Sequence, residues 1–136
     1  QLPDVMVSIP TTSPLRKPED IEKCIDEYLK GGADIIITVT DAHRNPWFNM
    51  VKASSDGLVE LVNKPTAKVF RRQDAPVIYD MTTVAYVANS SFVMENNGHF
   101  SGRVRAVQIP LERAIDIDTI TDFEFANFLM QQRDNL

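Results

Sequence analysis

Asp116 and Asp118 stand on either side of one isoleucine, inside the run Glu112-Arg113-Ala114-Ile115-Asp116-Ile117-Asp118-Thr119. In an extended segment, residues two apart point the same way. Both carboxylates would then converge on one point, and Ile115 and Ile117 would turn to the core. Two like charges at that range repel each other unless a cation sits between them or one takes a proton. Mg²⁺ favours oxygen ligands and commonly uses one or two carboxylates, with substrate phosphates completing its shell. The spacing points to a phosphate-linked Mg²⁺ site. An edge strand with two solvated aspartates fits the same spacing equally well.

Other stretches carry chemistry-bearing residues, each with a plainer reading beside it. Thr11-Thr12-Ser13-Pro14-Leu15-Arg16 follows an apolar run, where open α/β sheets usually bind ligands. Its hydroxyls and Arg16 suit a phosphate or sugar; a Ser-Pro turn is the plainer account. Arg71-Arg72-Gln73-Asp74 packs two guanidiniums and an amide into one loop. Guanidinium forks match carboxylate or phosphate, and a solvated basic turn paired to Asp74 is the alternative. His43 sits in a polar loop, where a histidine is more often a surface hydrogen-bonding residue than a base. Cys24 reads as a small buried residue.

Positioning these groups requires an α/β sheet. Asp4–Ile9 reads as a buried strand of parallel type, ended by Pro10. Pro18-Glu19-Asp20 opens a helix whose apolar face is Ile21, Ile25, Tyr28 and Leu29, closed by Gly31-Gly32. Asp34–Thr40 is a second buried strand, which completes a right-handed βαβ unit. Phe48–Val51 and Leu58–Val62 flank Ser54-Ser55-Asp56-Gly57, a hairpin signal. Such a hairpin needs another surface to pack on, such as a second subunit. Thr83–Ala88 is a strand, Ser90–Asn96 a short helix, and Val104–Ile109 alternates. Thr119 and Asp122 form a capping box for a last helix that turns Phe123, Ala126, Leu129 and Met130 inward.

The 136 residues suffice for one domain with a sizeable core. The net charge of −5 argues against nucleic-acid binding by phosphate neutralisation, and no basic run suggests a membrane patch. No apolar run is long enough to cross a bilayer. One cysteine allows no internal disulfide, in keeping with a reducing, cytoplasmic setting.

Taken together, Thr12-Ser13-Pro14-Leu15-Arg16 with Glu19-Asp20-Ile21, Val39-Thr40 with Ala42-His43, Arg71-Arg72-Gln73-Asp74-Ala75-Pro76, and Ala114–Thr119 with Asp122-Phe123 resemble the acylneuraminate cytidylyltransferases. The order and spacing match along essentially the whole chain. The resemblance implies a Rossmann-like nucleotidyltransferase fold of the nucleotide-diphospho-sugar transferase type. That fold has a mixed sheet, flanking helices and a protruding hairpin, here residues 41–76, for dimerisation and sugar binding. It implies transfer of CMP from CTP to a nine-carbon 2-keto sugar acid, with release of pyrophosphate, by a homodimer or tetramer. Asp116 and Asp118 match the catalytic, Mg²⁺-binding aspartates. Arg72 and Gln73 match residues that hold the sugar, and Tyr86 and Phe100 match its aromatic lining. Ser13 and Arg16 belong to the substrate-binding set.

Three departures qualify the match. The family's glycine- and lysine-containing CTP loop has no counterpart, so the chain reads as the C-terminal part of a longer enzyme, an incomplete domain with little turnover alone. A non-catalytic dimerisation or binding module on the same fold is the competing reading. Asp80-Met81-Thr82-Thr83 replaces an arginine-x-asparagine-glycine stretch, and His99-Phe100 replaces an aromatic pair. Both leave the sugar open among sialic, legionaminic and pseudaminic acids. A cytidylyltransferase for a shorter 2-keto acid is a weaker third reading.

Overall fold

A computed structural model of the chain describes residues 3–64 and 75–134. These residues form two compact units, one of residues 1–40 with 81–136 and one of residues 41–80.

The larger unit is built on a sheet whose described strands run in the order β1-β5-β2-β6. They are β1 (Val5–Ser8), β2 (Ile35–Asp41), β5 (Tyr79–Asn89) and β6 (Val104–Gln108). Its helices are α1 (Pro18–Leu29), α2 (Ser90–Glu95) and α3 (Ile120–Asp134). The central strand β2 is buried from Ile35 to Thr40 because both of its faces are covered. Ile36 meets Cys24, Ile21, Ile25 and Tyr28 on the α1 side. Ile35, Ile37 and Val39 meet Phe92 and Val93 of α2 on the other. Thr38 is the polar exception. Its hydroxyl accepts from Thr82 Oγ1 at 2.7 Å and from the Ala85 N–H at 3.3 Å, so the buried oxygen is satisfied.

The expectation that β1 pairs in parallel is corrected. β1 pairs antiparallel with β5, Val5 opposite Asn89 and Val7 opposite Val87, and β5 lies between β1 and β2. The parallel pairing in this sheet is β2 with β6, Ile35 opposite Val104. An apolar run reports burial and says nothing of the partner's direction. Among the described strands β1 also lies at an edge of the sheet, with Val7 exposed.

Local chemistry fixes the helix starts. Asp20 accepts the Lys17 N–H at 2.9 Å across the first turn of α1. Asn89 caps α2 by accepting from Ser91 N at 2.8 Å and Phe92 N at 3.3 Å. Thr119 and Asp122 make the expected reciprocal box on α3, at 3.3 Å and 2.7 Å. Two inward assignments are corrected: Leu29 is 70% exposed and Phe123 54%. The inner face of α3 is centred on buried Ala126, flanked by half-buried Leu129 and Met130.

At Gly102 a Cβ would sit 2.6 Å from the Phe92 ring and 2.9 Å from Asp34 Oδ2. That carboxylate also receives the Arg103 backbone N–H at 2.7 Å. Gly102→Ala is therefore expected to destabilise the chain by about 1–3 kcal/mol through overpacking. A thermal melt within one degree of the parent would contradict this.

The smaller unit contains the antiparallel hairpin β3 (Val51–Ala53) and β4 (Val59–Leu61), with Gly57 at φ 84° in its turn. Asn45 organises the preceding loop. Its side chain accepts from Trp47 N at 2.9 Å and donates to the Pro76 carbonyl at 3.0 Å.

Candidate functional site

The Asp116/Asp118 segment is not a strand. Pro110 ends β6 and begins a 3-10 turn, Leu111–Arg113, in which Arg113 N–H donates to the Pro110 carbonyl at 2.9 Å. Residues 114–117 then run irregularly to the cap of α3. Alternation of side chains therefore does not orient the two carboxylates. Point anchors do. Ala114 is buried against Val84 and Ile109. Ile117 N–H donates to the Thr12 carbonyl at 2.9 Å. Downstream, Asp122 accepts the N–H of Asp118 at 3.2 Å and that of Thr119 at 2.7 Å. Upstream, Arg113 meets Asp20 of α1 through Nη2 at 2.8 Å and Nε at 2.9 Å.

The two aspartates come to different environments. Asp118 is exposed. Asp116 is half-buried, and its Oδ1 is shielded from solvent and, among the described residues, has no hydrogen-bond partner. Among the described residues, no group of three or more histidines, cysteines, aspartates or glutamates comes together.

Asp116 acts on Tyr86. Burial, and then the Asp116 charge, push the Tyr86 phenol above its ordinary value. Tyr86 in turn stacks on His99, with ring centroids 4.9 Å apart and planes 15° from parallel. Both rings line a cavity of about 290 Å³ on the α2 face of the sheet. Its floor is apolar, from Met6, Ile35, Ala88 and Phe92, and its polar groups come from Ser8, Asn96 and Asn97.

The remaining expected site residues are placed as follows. Phe100 is 72% exposed and is absent from that cavity's lining; His99 beside it takes the place against Tyr86. Ser13 is fully buried, its hydroxyl 2.7 Å from Thr83 Oγ1. Arg16 donates through Nη2 to the Pro10 carbonyl and, at 3.2 Å, to the Thr83 carbonyl. Burial lowers the Arg16 pKa, and its Nε is buried without a partner. Arg72 and Gln73 lie outside the described residues. Sequence reasoning missed His99, although its place in the aromatic pair was a signal. It also missed the Asp20–Arg113 pair, for which a polar helix start gave none.

No family model matches the chain. It is 28% identical over 130 residues to a post-translational flagellin modification protein B of Campylobacter coli, covering 96% of this chain and 54% of that one. It is 30% identical over 95 residues to a CMP-N,N'-diacetyllegionaminic acid synthase of Campylobacter jejuni, covering 70% and 39%. An N-acylneuraminate cytidylyltransferase of Streptococcus agalactiae is 25% identical over 117 residues, covering 86% and 28%. These relatives bear out the resemblance to the acylneuraminate cytidylyltransferases. It spans about half the length of the first of these relatives and less of the others.

The cytidylyltransferase fold is borne out as well. The crystal structure of a 4-diphosphocytidyl-2C-methyl-D-erythritol synthase from Anaerococcus prevotii superposes with a TM-score of 0.59 at 14% identity. The match covers 94% of this chain and 59% of that one. The expected mixed sheet with flanking helices is thus also the fold of this solved structure. Among the described residues, no helix is long and apolar enough to cross a membrane.

Proposed function

We propose that this chain carries the metal-holding and sugar-binding part of an enzyme that transfers CMP from CTP to an acidic nine-carbon 2-keto sugar, releasing pyrophosphate. The observation that carries the reading is the Asp116 carboxylate, whose Oδ1 is shielded from solvent and, among the described residues, has no hydrogen-bond partner. The family relationship supplies the reaction class.

The residues fit Mg²⁺. A shielded carboxylate oxygen without a hydrogen-bond donor is costly unless a cation or proton meets it. Asp116 and Asp118 would hold the ion, leaving the rest of its shell to water and phosphate oxygens. When bound, the ion supplies charge stabilisation for the phosphates and the leaving pyrophosphate. The chain's own residues do the rest. Tyr86 and His99 offer stacked faces to the sugar ring, and Asn96, Asn97 and Ser8 offer hydrogen bonds. Arg72, with Gln73, holds the sugar's carboxylate. The buried Ser13–Thr83 and Arg16 bonds keep the loop after β1 rigid beside Ile117. In the smaller unit Val51, Leu58 and Val59 are exposed, an apolar surface that a second copy would cover in a homodimer.

Pyrophosphate release tests the reading, measured with CTP, Mg²⁺ and a panel of nonulosonic acids on the protein translated from the full reading frame. Release that depends on one of these sugars is expected. Folded protein that releases none with any of them would overturn the reading. In the same assay, Arg72→Ala is expected to raise the sugar KM about 10- to 100-fold, a charge-assisted pair's worth, with the CTP KM unchanged. An unchanged sugar KM would remove Arg72 from that role.

A further inference from the structure

We infer that Asp20 and Arg113 form a positioning clamp for the Asp116 carboxylate. The inference rests on the metal role proposed above. Asp20 is 0% exposed and meets the Arg113 guanidinium edge-on, Nη2 at 2.8 Å and Nε at 2.9 and 3.2 Å. A planar fork on a carboxylate fixes orientation as well as distance. The same carboxylate takes the Lys17 N–H at 2.9 Å, so it is itself seated on the first turn of α1.

Arg113 stands three residues before Asp116, and no helix or strand ladder holds the residues between. The path of Asp116 is set where the segment is tied down. Arg113 ties it to α1 on one side, and the Ile117 N–H ties it to the Thr12 carbonyl on the other. Both ties lead to neighbouring parts of one stretch, the loop after β1 and the start of α1. The clamp therefore holds the hydroxyl-bearing loop and the carboxylate segment as one piece.

Stability alone is a weak account of such a pair. A buried ion pair commonly adds little over well-packed apolar residues, because both charges leave water. What it adds is a fixed register. Groups that orient a metal ligand without touching the metal change metal affinity when replaced, about 10- to 100-fold in known sites.

The test uses Mn²⁺ as the probe, titrated into the protein translated from the full reading frame and followed by the electron paramagnetic resonance signal of the free ion. The double variant Asp20→Asn/Arg113→Gln keeps the volume at residue 20 and an acceptor for the Lys17 N–H, and removes both charges and the guanidinium fork. It is expected to keep its circular dichroism spectrum and to bind Mn²⁺ about tenfold more weakly. Arg113→Lys, which keeps the charge and loses the fork, is the second variant and decides the matter if the first does not fold. It is expected to weaken binding about threefold. A folded variant with parental Mn²⁺ affinity would overturn the clamp and leave the metal role standing. Failure of the parent chain to bind Mn²⁺ at all would overturn the metal role, and the clamp with it.

Discussion

Asp116→Asn is expected to lower kcat for pyrophosphate release by about a hundredfold or more, with little change in the sugar KM. The asparagine keeps the volume and removes the charge. Under the proposed metal role, the half-buried position and the shielded Oδ1 would make Asp116 the more demanding ligand of the two. Asp118 is exposed and tied through its backbone to Asp122, so its side chain is free to complete the ion's shell. Asp118→Asn is expected to reduce kcat by a comparable factor. The loss should shrink as Mg²⁺ is raised, because a weakened site can be driven by concentration. Either variant turning over at the parental rate in ordinary Mg²⁺ would remove that aspartate from the metal site.

Asp20→Ala is expected to destabilise the fold by about 3 kcal/mol or more, because it leaves the Arg113 charge uncompensated where it is mostly buried. For a chain of this size that is a fall in Tm of about 10 °C. It also removes the acceptor for the Lys17 N–H at the start of α1. The effect has a pH signature. Burial by itself would raise the Asp20 pKa. The Arg113 and Lys17 hydrogen bonds and the neighbouring positive charges outweigh it, and the pKa in the fold lies below its ordinary value. The unfolded chain therefore takes the proton first. Asp20's contribution is complete at neutral pH, shrinks as pH falls through the ordinary carboxylate range, and is lost below the folded value. Urea unfolding at neutral and acid pH checks both points. The parent and Asp20→Ala should differ most at neutral pH and converge in acid. A gap that stays constant with pH would contradict the ionic account.

Much of the fold was legible because local rules and tertiary context agree here. Six apolar or threonine positions in a row at 35–40 announced a strand covered on both faces, and β2 is that strand. Thr119 and Asp122 announced the start of α3 by residue type and spacing, and the bonds are made. Ser54–Gly57 announced the hairpin turn. The failures have one physical root: periodicity describes a segment and is silent about its neighbours. The apolar run of β1 could not say that β5 returns antiparallel beside it. The Ile-Asp-Ile-Asp alternation suggested an extended strand, but Pro110 and the pull of Arg113 toward Asp20 produce a turn and an irregular run instead. The inward face of α3 was misjudged at Phe123 for the same reason.

The site was legible in part. Residue types and their order carried the resemblance to the cytidylyltransferases, and the relatives bear out the family. Placement was less legible. Ser13 is buried on Thr83, seventy residues away in the chain, a pairing that no local pattern encodes. His99 and Phe100 are adjacent, and sequence alone could not say which ring faces Tyr86. The turn that begins after Gly98 decides it for His99.

In the proposed transfer, the sugar's anomeric oxygen would attack the α-phosphate of CTP and pyrophosphate would leave. Phosphorus NMR of the reaction run with sugar labelled by ¹⁸O at that oxygen tests it most directly. The account requires the label to appear in the bridge of the CMP–sugar ester and none in pyrophosphate. An ester without label, or pyrophosphate formed at the same rate when the sugar is left out, would contradict it.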